Sequence, residues 1–141
     1  PRHDEILPED IPLDIVFEDE HLLLLHKNPG MVVHPAYGNW TGTLVNALVY
    51  HFGTLPTTRN GVIRPGLVHR IDKDTSGLMV IAKSELAMSH LAKQFFYHTI
   101  ERTYHALVWG VPKQSSGTIK NYLNRAQHDR KLTAIYYEPE Q

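Results

Sequence analysis

The chain contains no cysteine among its 141 residues, which excludes disulfide bonds, thiolate metal sites and a cysteine nucleophile. Its first residues, PRHDE, contain neither an initiator methionine nor an apolar core, so we expect them not to be a signal peptide and the chain to be part of a longer protein. No apolar run approaches the roughly 20 residues of a membrane-spanning helix. We therefore predict a globular protein without a membrane partner, in a reducing compartment that we take to be the cytoplasm.

Net charge is nearly absent, at −1, but the charges are unevenly distributed. Eight of the 15 acidic residues lie in the first 20 positions beside a single arginine, so the remaining 121 residues carry a net positive charge. Two interpretations stay open for the basic C-terminal region: a solvated face, or a surface for RNA phosphates. Its basic residues are Lys113, Lys120, Arg125, Arg130 and Lys131.

Metal-binding patterns are missing as well. The 10 histidines are scattered without the spacing of known metal motifs, so no metal and no cofactor are predicted. The segment that begins at Asp72 resembles half of an EF-hand loop, but Lys83 occupies the position of the required bidentate glutamate. A kinase-like H-R-D is interrupted by Ile71, and no glycine-rich ATP loop accompanies it.

The order of the predicted elements indicates one α+β domain with a mixed sheet, over residues 14–141. Residues 1–13, rich in proline and acids, predict an extended lead-in that is not packed. Residues 53–66 lack periodicity and predict a loop. Alternation and apolar runs predict strands at 15–17, 22–25, 31–33, 78–82, 101–109 and 132–137. Helical spacing predicts one helix at about 43–52 and a second one after a Ser84 cap. The second helix would face the core with Met88, Leu91, Ala92, Phe95 and Phe96.

The most informative segment is residues 65–78, PGLVHRIDKDTSGL. It places an imidazole, a guanidinium and a carboxylate within four positions between turn-forming glycines, just before the apolar run 78–82. A reactive loop on a buried strand is a rigid mount for a catalytic group. Composition alone leaves a plainer alternative, in which Asp72 forms a turn and Arg70 pairs with Asp72 or Asp74.

Residues 69–78 resemble the HRLDxxTSG signature of the RluA/RluD-type pseudouridine synthases. Residues 27–35 and 42–48 are similar to the K-P-x-G-x-x-V-H-P and G-T-L-x-N-A-L segments of that family, although the proline stands one position later. Residues 102–110, RTYHALVWG, resemble its second motif. The resemblance covers about residues 11–137, favours the RluD-like branch, and implies the pseudouridine synthase fold, a mixed and largely antiparallel sheet with flanking helices around a central cleft.

This resemblance implies an isomerase that converts uridine to pseudouridine in RNA, with large-subunit ribosomal RNA as the expected substrate and transfer RNA as the alternative. Asp72 would be catalytic, as nucleophile or base, while Arg70 would fill the space of the flipped base and Tyr104 would pack against the uracil. His69 and Thr75 are also expected among the substrate-binding residues, where His69 would shape the loop and Thr75 would bond loop amides. Arg130 and Lys131 are expected on RNA phosphates.

The third motif of the family, with a basic partner for the catalytic aspartate, is expected beyond Gln141, and an S4-type RNA-binding domain often precedes such a domain. The isolated segment is therefore expected to be incomplete as an enzyme. The alternative function is a non-catalytic RNA-binding or ribosome-assembly module with the same fold. From its alternation Tyr104 is also expected on a strand, where core packing is its plainer role.

Overall fold

The computed structural model describes residues 6–53, 66–129 and 132–137. The chain divides into two units, Pro1–Arg102 and Thr103–Gln141. Within the described residues, no helix is long and apolar enough to cross a membrane.

The first unit is built on a three-stranded antiparallel sheet. Its strands are β1 (Asp14–Glu18), β2 (Leu22–Lys27) and β3 (Gly77–Ala82), in that order across the sheet. The pairing of β2 with β3 is regular and sets Lys27 opposite Gly77, whereas β1 carries an irregularity between Ile15 and Phe17. The strands predicted at 15–17, 22–25 and 78–82 are thus confirmed. β3 is less enclosed than its apolar run predicts, because Leu78 is 60% exposed.

Two helices accompany this sheet, and both were predicted. α1 (Leu44–Phe52) begins at Thr43, which forms a reciprocal capping box with Asn46. α2 (Glu85–Phe96) begins at Ser84, whose hydroxyl accepts a hydrogen bond from a first-turn amide, and it packs against β3. Together with the antiparallel strands, these helices confirm the α+β class.

The predicted apolar stripe of α2 is wrong in extent. Met88 is the buried residue of this helix, whereas Phe96 is 76% exposed. Helical spacing shows which side chains share a face, but it does not show how far a neighbouring element extends to cover that face.

The hydrophobic core lies between the sheet and α1. It is formed by ten buried residues from β2, β3, α1 and two loops: Leu23, Leu25, Val33, Leu44, Val45, Leu48, Leu67, Ile71, Met79 and Ile81. Leu67 and Ile71 belong to the segment 65–78, called the HRID segment after its residues 69–72. That segment is therefore anchored in the core at two points.

The strand predicted at 31–33 is wrong. The carbonyl groups of Val32 and Val33 accept the first amides of α1, from Leu44 at 2.9 Å and Val45 at 3.0 Å, so they cap a helix instead of joining a sheet. The described part of the predicted lead-in, residues 6–13, contains no helix or strand, and Ile6 and Leu13 pack against the core. Both Glu9 carboxylate oxygens accept the amide of Gly42, at 3.0 and 3.1 Å.

The second unit contains an antiparallel pair, β4 (Tyr122–Arg125) and β5 (Thr133–Tyr136). β5 confirms the strand predicted at 132–137, and β4 was not predicted. The strand predicted at 101–109 is wrong: these residues are exposed and have no strand partner among the described residues. Alternation identifies a chain with two faces, but a strand also needs a neighbour for its backbone hydrogen bonds.

Candidate active site

The described part of the HRID segment begins at Gly66, which fits closely against β3. Gly66 has a φ of +65°, and a β-carbon there would lie 2.6 Å from the carbonyl oxygen of Ala82. The amide of Ala82 in turn donates to the Gly66 carbonyl at 2.9 Å, and Leu67 forms a bridge with Ile81. Only glycine meets both the positive φ and the close approach, so Gly66 fixes where the segment leaves the sheet.

His69 fastens the next part of the segment to the same strand. Its Nε2 accepts the amide of Val80 at 3.1 Å, and its ring stacks on Phe95 of α2 with centroids 4.5 Å apart. Burial and the positive charge of Arg102 lower the pKa of His69 to about 4. A neutral ring whose Nε2 accepts carries its hydrogen on Nδ1, and that atom is buried without a partner among the described residues. His69 therefore fastens this part of the loop to β3.

Ile71 determines the direction of the two residues that the sequence predicts for chemistry. It is 8% exposed and belongs to the core, whereas its neighbours Arg70 and Asp72 are exposed. Among the described residues no ion pair joins Arg70 to Asp72 or Asp74. The simple pairing role for Arg70 is therefore not what the structure shows, and both side chains remain accessible to a ligand.

The loop after Asp72 is held by backbone hydrogen bonds. The amide of Thr75 donates to the Asp72 carbonyl at 3.1 Å, which closes a turn. The Lys73 carbonyl accepts the amide of Gly30 at 2.9 Å and the ammonium group of Lys27 at 2.9 Å. The carboxylate of Asp72 thus belongs to a loop in which the carbonyl groups of Asp72 and Lys73 are both held by hydrogen bonds.

A cavity of about 1190 Å³ lies beside this loop, between the segment and α2. His69 and Arg70 line it together with His34, Met88 and Phe95. Asp72 and Thr75 do not belong to its lining. The structure therefore gathers the imidazole and the guanidinium at one cavity and holds the carboxylate beyond Ile71 on the anchored turn.

The remaining predicted site residues belong to the second unit. Tyr104 lies in a segment without strand structure and is 59% exposed. Lys113 and Lys120 are exposed, as a phosphate-binding surface requires, whereas Arg130 and Lys131 lie outside the described residues. Over the described part of the chain, no group of three or more histidine, aspartate or glutamate side chains could hold a metal ion.

Lys27 stands at the start of the family-like segment 27–35, but the sequence predicted no role for it in the site. It is 1% exposed, and the alternation of β2 places it on the same inward face as Leu23 and Leu25. That alternation was the available signal. A lysine in phase with buried leucines indicates either that the strand register is wrongly predicted or that the cation is buried for a specific role.

Chemically, this arrangement offers an accessible carboxylate on a turn held by backbone hydrogen bonds, two positions in sequence from an accessible guanidinium. A carboxylate so held can attack an electrophilic carbon or remove a proton, and a guanidinium can stack on a base or bind a phosphate. No described group competes with a substrate for either side chain through an ion pair.

Comparison with known proteins gives consistent matches. The family model described as RNA pseudouridylate synthase matches residues 21–140. The chain is 54% identical over 135 residues to "Ribosomal large subunit pseudouridine synthase D" of Zymomonas mobilis, covering 96% of this chain and 42% of that protein. It is 51% identical over 140 residues to an uncharacterized RNA pseudouridine synthase of Chlorobaculum parvum, with the same two coverages. "RNA pseudouridine synthase 2, chloroplastic" of Arabidopsis thaliana is 43% identical over 155 residues, covering 90% of this chain and 36% of that protein. The chain thus spans about two fifths of the length of these curated relatives.

Proposed function

The chain belongs to the RNA pseudouridylate synthase family, and from this membership and the geometry of the HRID segment we propose that it carries the catalytic aspartate of an enzyme that isomerises uridine to pseudouridine in RNA. The observation that carries the proposal is the placement of Asp72, an exposed carboxylate on a loop fixed by the buried Ile71 and by the bonds to the Lys73 carbonyl.

The reaction breaks the bond between ribose C1′ and uracil N1, rotates the base and joins C5 to C1′. N1 gains a proton and C5 loses one, so the product is an isomer and no oxidant, reductant or cofactor enters the balance. Asp72 serves this exchange either by attacking C1′ or by removing a proton from the sugar, and both roles require a carboxylate that the ribose can reach.

Access to the uridine requires the base to leave its stack, at a cost of a few kcal/mol. Arg70 suits the task of filling the vacated space, because its guanidinium is exposed and can stack and bind phosphate together. Tyr104 supplies an exposed aromatic face for the uracil in this proposal. The exposed Lys113 and Lys120 attract the RNA backbone, and Arg130 and Lys131 extend the same basic run in sequence.

The proposed substrate is large-subunit ribosomal RNA. The names of the Zymomonas mobilis relative and of a Pseudomonas aeruginosa relative, 47% identical over 131 residues, both specify the ribosomal large subunit. Transfer RNA is the alternative substrate. We place the protein in the cytoplasm, where bacterial ribosomes assemble, as part of the same proposal.

The test is tritium release from RNA labelled at C5 of uridine, because rearrangement must expel the hydrogen at C5. The full-length protein is compared with its Asp72→Asn and Asp74→Asn variants on ribosomal and transfer RNA transcripts. Both aspartates are exposed in the same loop, so Asp74→Asn is a matched control for loss of one negative charge.

We expect release to fall below detection in Asp72→Asn and to persist in Asp74→Asn, with ribosomal RNA as the better substrate. Equal loss in both variants would assign the effect to the charge of the loop. Tight RNA binding without any release by the wild-type protein would refute the enzyme and leave the RNA-binding module.

A further inference from the structure

Lys27 is a buried cation whose hydrogen-bonding capacity is fully used by the backbone. It is the last residue of β2 and is 1% exposed. Its ammonium group donates to the carbonyls of Asn28 at 2.9 Å, Met31 at 2.8 Å and Lys73 at 2.9 Å. A lysine has three ammonium hydrogens, so three carbonyl acceptors satisfy it completely. In the described structure no carboxylate lies within ion-pair distance of it.

These three carbonyls belong to two different loops. Two are in the turn that follows β2, and the third stands between Asp72 and Asp74. The amide of Gly30, in the same turn, donates to the same Lys73 carbonyl at 2.9 Å. The turn after β2 and the loop of Asp72 are therefore joined at a single carbonyl group, by one charged donor and one neutral donor.

A cation at this place is costly to bury. Burial lowers the pKa of Lys27, and the negative charges of Asp74 and Asp72 oppose that effect. Replacement of Lys27 by an apolar side chain of similar volume would leave the carbonyl groups of Asn28 and Met31 without the ammonium group as a donor. A methionine would fill the volume of Lys27 but would donate nothing to the three carbonyls. The ammonium group thus contributes the link between the loops, beyond filling space.

We propose that Lys27 is a positioning residue for the reaction: it fixes the loop of Asp72 against the end of β2 and so sets where the carboxylate meets the ribose, without touching the RNA. This inference rests on the proposed function of Asp72. A merely structural lysine would instead affect the stability of the whole unit and leave the chemical step of the folded protein unchanged.

The test compares Lys27→Met with Lys83→Met in the full-length protein. Lys83 is a matched control, because it also donates to a backbone carbonyl, that of Asp19, and to the Glu18 carboxylate at 2.7 Å. It directly follows β3, whereas Lys27 is paired with the first residue of that strand. The measurements are the single-turnover rate of tritium release at saturating RNA, the dissociation constant for RNA, and amide hydrogen exchange.

In Lys27→Met we expect the single-turnover rate to fall by about 10²-fold, the loss typical of a displacement of about 1 Å at a reacting group. The dissociation constant for RNA should not change, because Lys27 is buried. Exchange should accelerate at the amides of Gly30 and Thr75 and not in the centre of β2. Lys83→Met should keep the wild-type rate. A wild-type rate in folded Lys27→Met, or equal losses in the two variants, would overturn the proposal.

A second preparation addresses the case in which Lys27→Met does not fold. The 141 residues contain no cysteine, so Lys27→Cys introduces the only thiol of this segment. In a full-length background without other cysteines, the unfolded protein is alkylated with an aminoethyl group, which rebuilds a lysine-like ammonium, or with a neutral propyl group, and then refolded. We expect both forms to refold and only the aminoethyl form to recover the rate. If the propyl form does not refold, Lys27 is a general structural residue and the proposal falls.

Asp72→Asn, measured in parallel, separates this inference from the proposed function. If the wild-type protein releases no tritium, or if Asp72→Asn releases it at the wild-type rate, the proposed function fails. The exchange of Gly30 and Thr75 still reports on the link in that case. If Asp72→Asn is inactive and Lys27→Met is fully active, the function stands and the role of Lys27 is refuted.

Discussion

Because His69 attaches the HRID segment to β3, the strength of this attachment should depend on pH. The surroundings of the ring determine whether acid strengthens or weakens it. Its pKa in the folded protein is about 4, because the ring is partly buried and Arg102 is nearby, against an ordinary value of 6.5. Between these two values the unfolded chain binds more protons than the folded protein, so stability rises with pH there. The contribution is complete above about pH 6.5 and is lost as the pH falls to about 4.

The magnitude of this contribution follows from the same two pKa values. Each tenfold difference in proton affinity corresponds to about 1.4 kcal/mol, which sets an upper bound of about 3 kcal/mol. Because the ring is only partly buried, water screens part of this, and we expect a loss on the order of 2 kcal/mol. Protonation also turns Nε2 into a donor that faces the amide of Val80, so the hydrogen bond from that amide must break.

The measurement is an NMR titration of the histidine rings in the full-length protein. The His69 signal is identified by its absence in His69→Gln, whose amide oxygen can still accept the Val80 amide. We expect a midpoint near 4 and a hydrogen on Nδ1 at neutral pH. Denaturant unfolding at several pH values should show the wild type losing stability relative to His69→Gln on acidification. A midpoint near 6.5, or parallel stability profiles, would refute the reasoning.

Three further predictions concern the fold and the basic surface. In a denaturant titration, Gly66→Ala should lower the free energy of unfolding by about 2 to 4 kcal/mol, because a β-carbon there combines a positive φ with a backbone contact at 2.6 Å. Gly30→Ala is the control: it also has a positive φ but open space around it, and it should cost only about 1 kcal/mol. Asn46→Ala should destabilise the protein by about 1 to 2 kcal/mol in thermal unfolding, because Asn46 caps α1 from a fully buried position; an unchanged midpoint would contradict the role of this cap. Joint replacement of Lys113 and Lys120 by glutamine should weaken RNA binding and reduce the salt dependence of the affinity by about one per lost phosphate contact, without changing the rate at saturating RNA; an unaltered salt slope would place both residues off the RNA.

Local patterns predicted the parts of the fold that are locally determined. α1 and α2 were predicted because their caps, Thr43 and Ser84, lie next to the helices they begin. β2 and β3 were predicted because their apolar runs are dense enough to indicate burial. The strand at 101–109 could not be decided in this way, because whether an alternating segment pairs depends on a neighbour distant in sequence.

The candidate site divides along the same line. Resemblance to a family selected Asp72 and Arg70, and their exposure on either side of the buried Ile71 agrees with that choice. Lys27 belongs to a family-like segment, but the sequence could not predict a role for it, because its partners are backbone carbonyls, one of them 46 positions away. Residues that act through the backbone of others are therefore the hardest to predict from side-chain patterns.

The structure also separates what holds the loop from what the loop presents. The loop is held by hydrogen bonds to the backbone of Asp72 and Lys73, one of them from the ammonium group of Lys27. The buried side chain of Ile71 anchors it in the core. The carboxylate of Asp72 is exposed and enters no ion pair in the described residues. An asparagine at this position would keep these backbone hydrogen bonds and the packing of Ile71, and it would remove one of the two negative charges that oppose the lowering of the Lys27 pKa. If Asp72→Asn loses activity while its stability is unchanged, the loss is due to the missing carboxylate and not to a loss of folding.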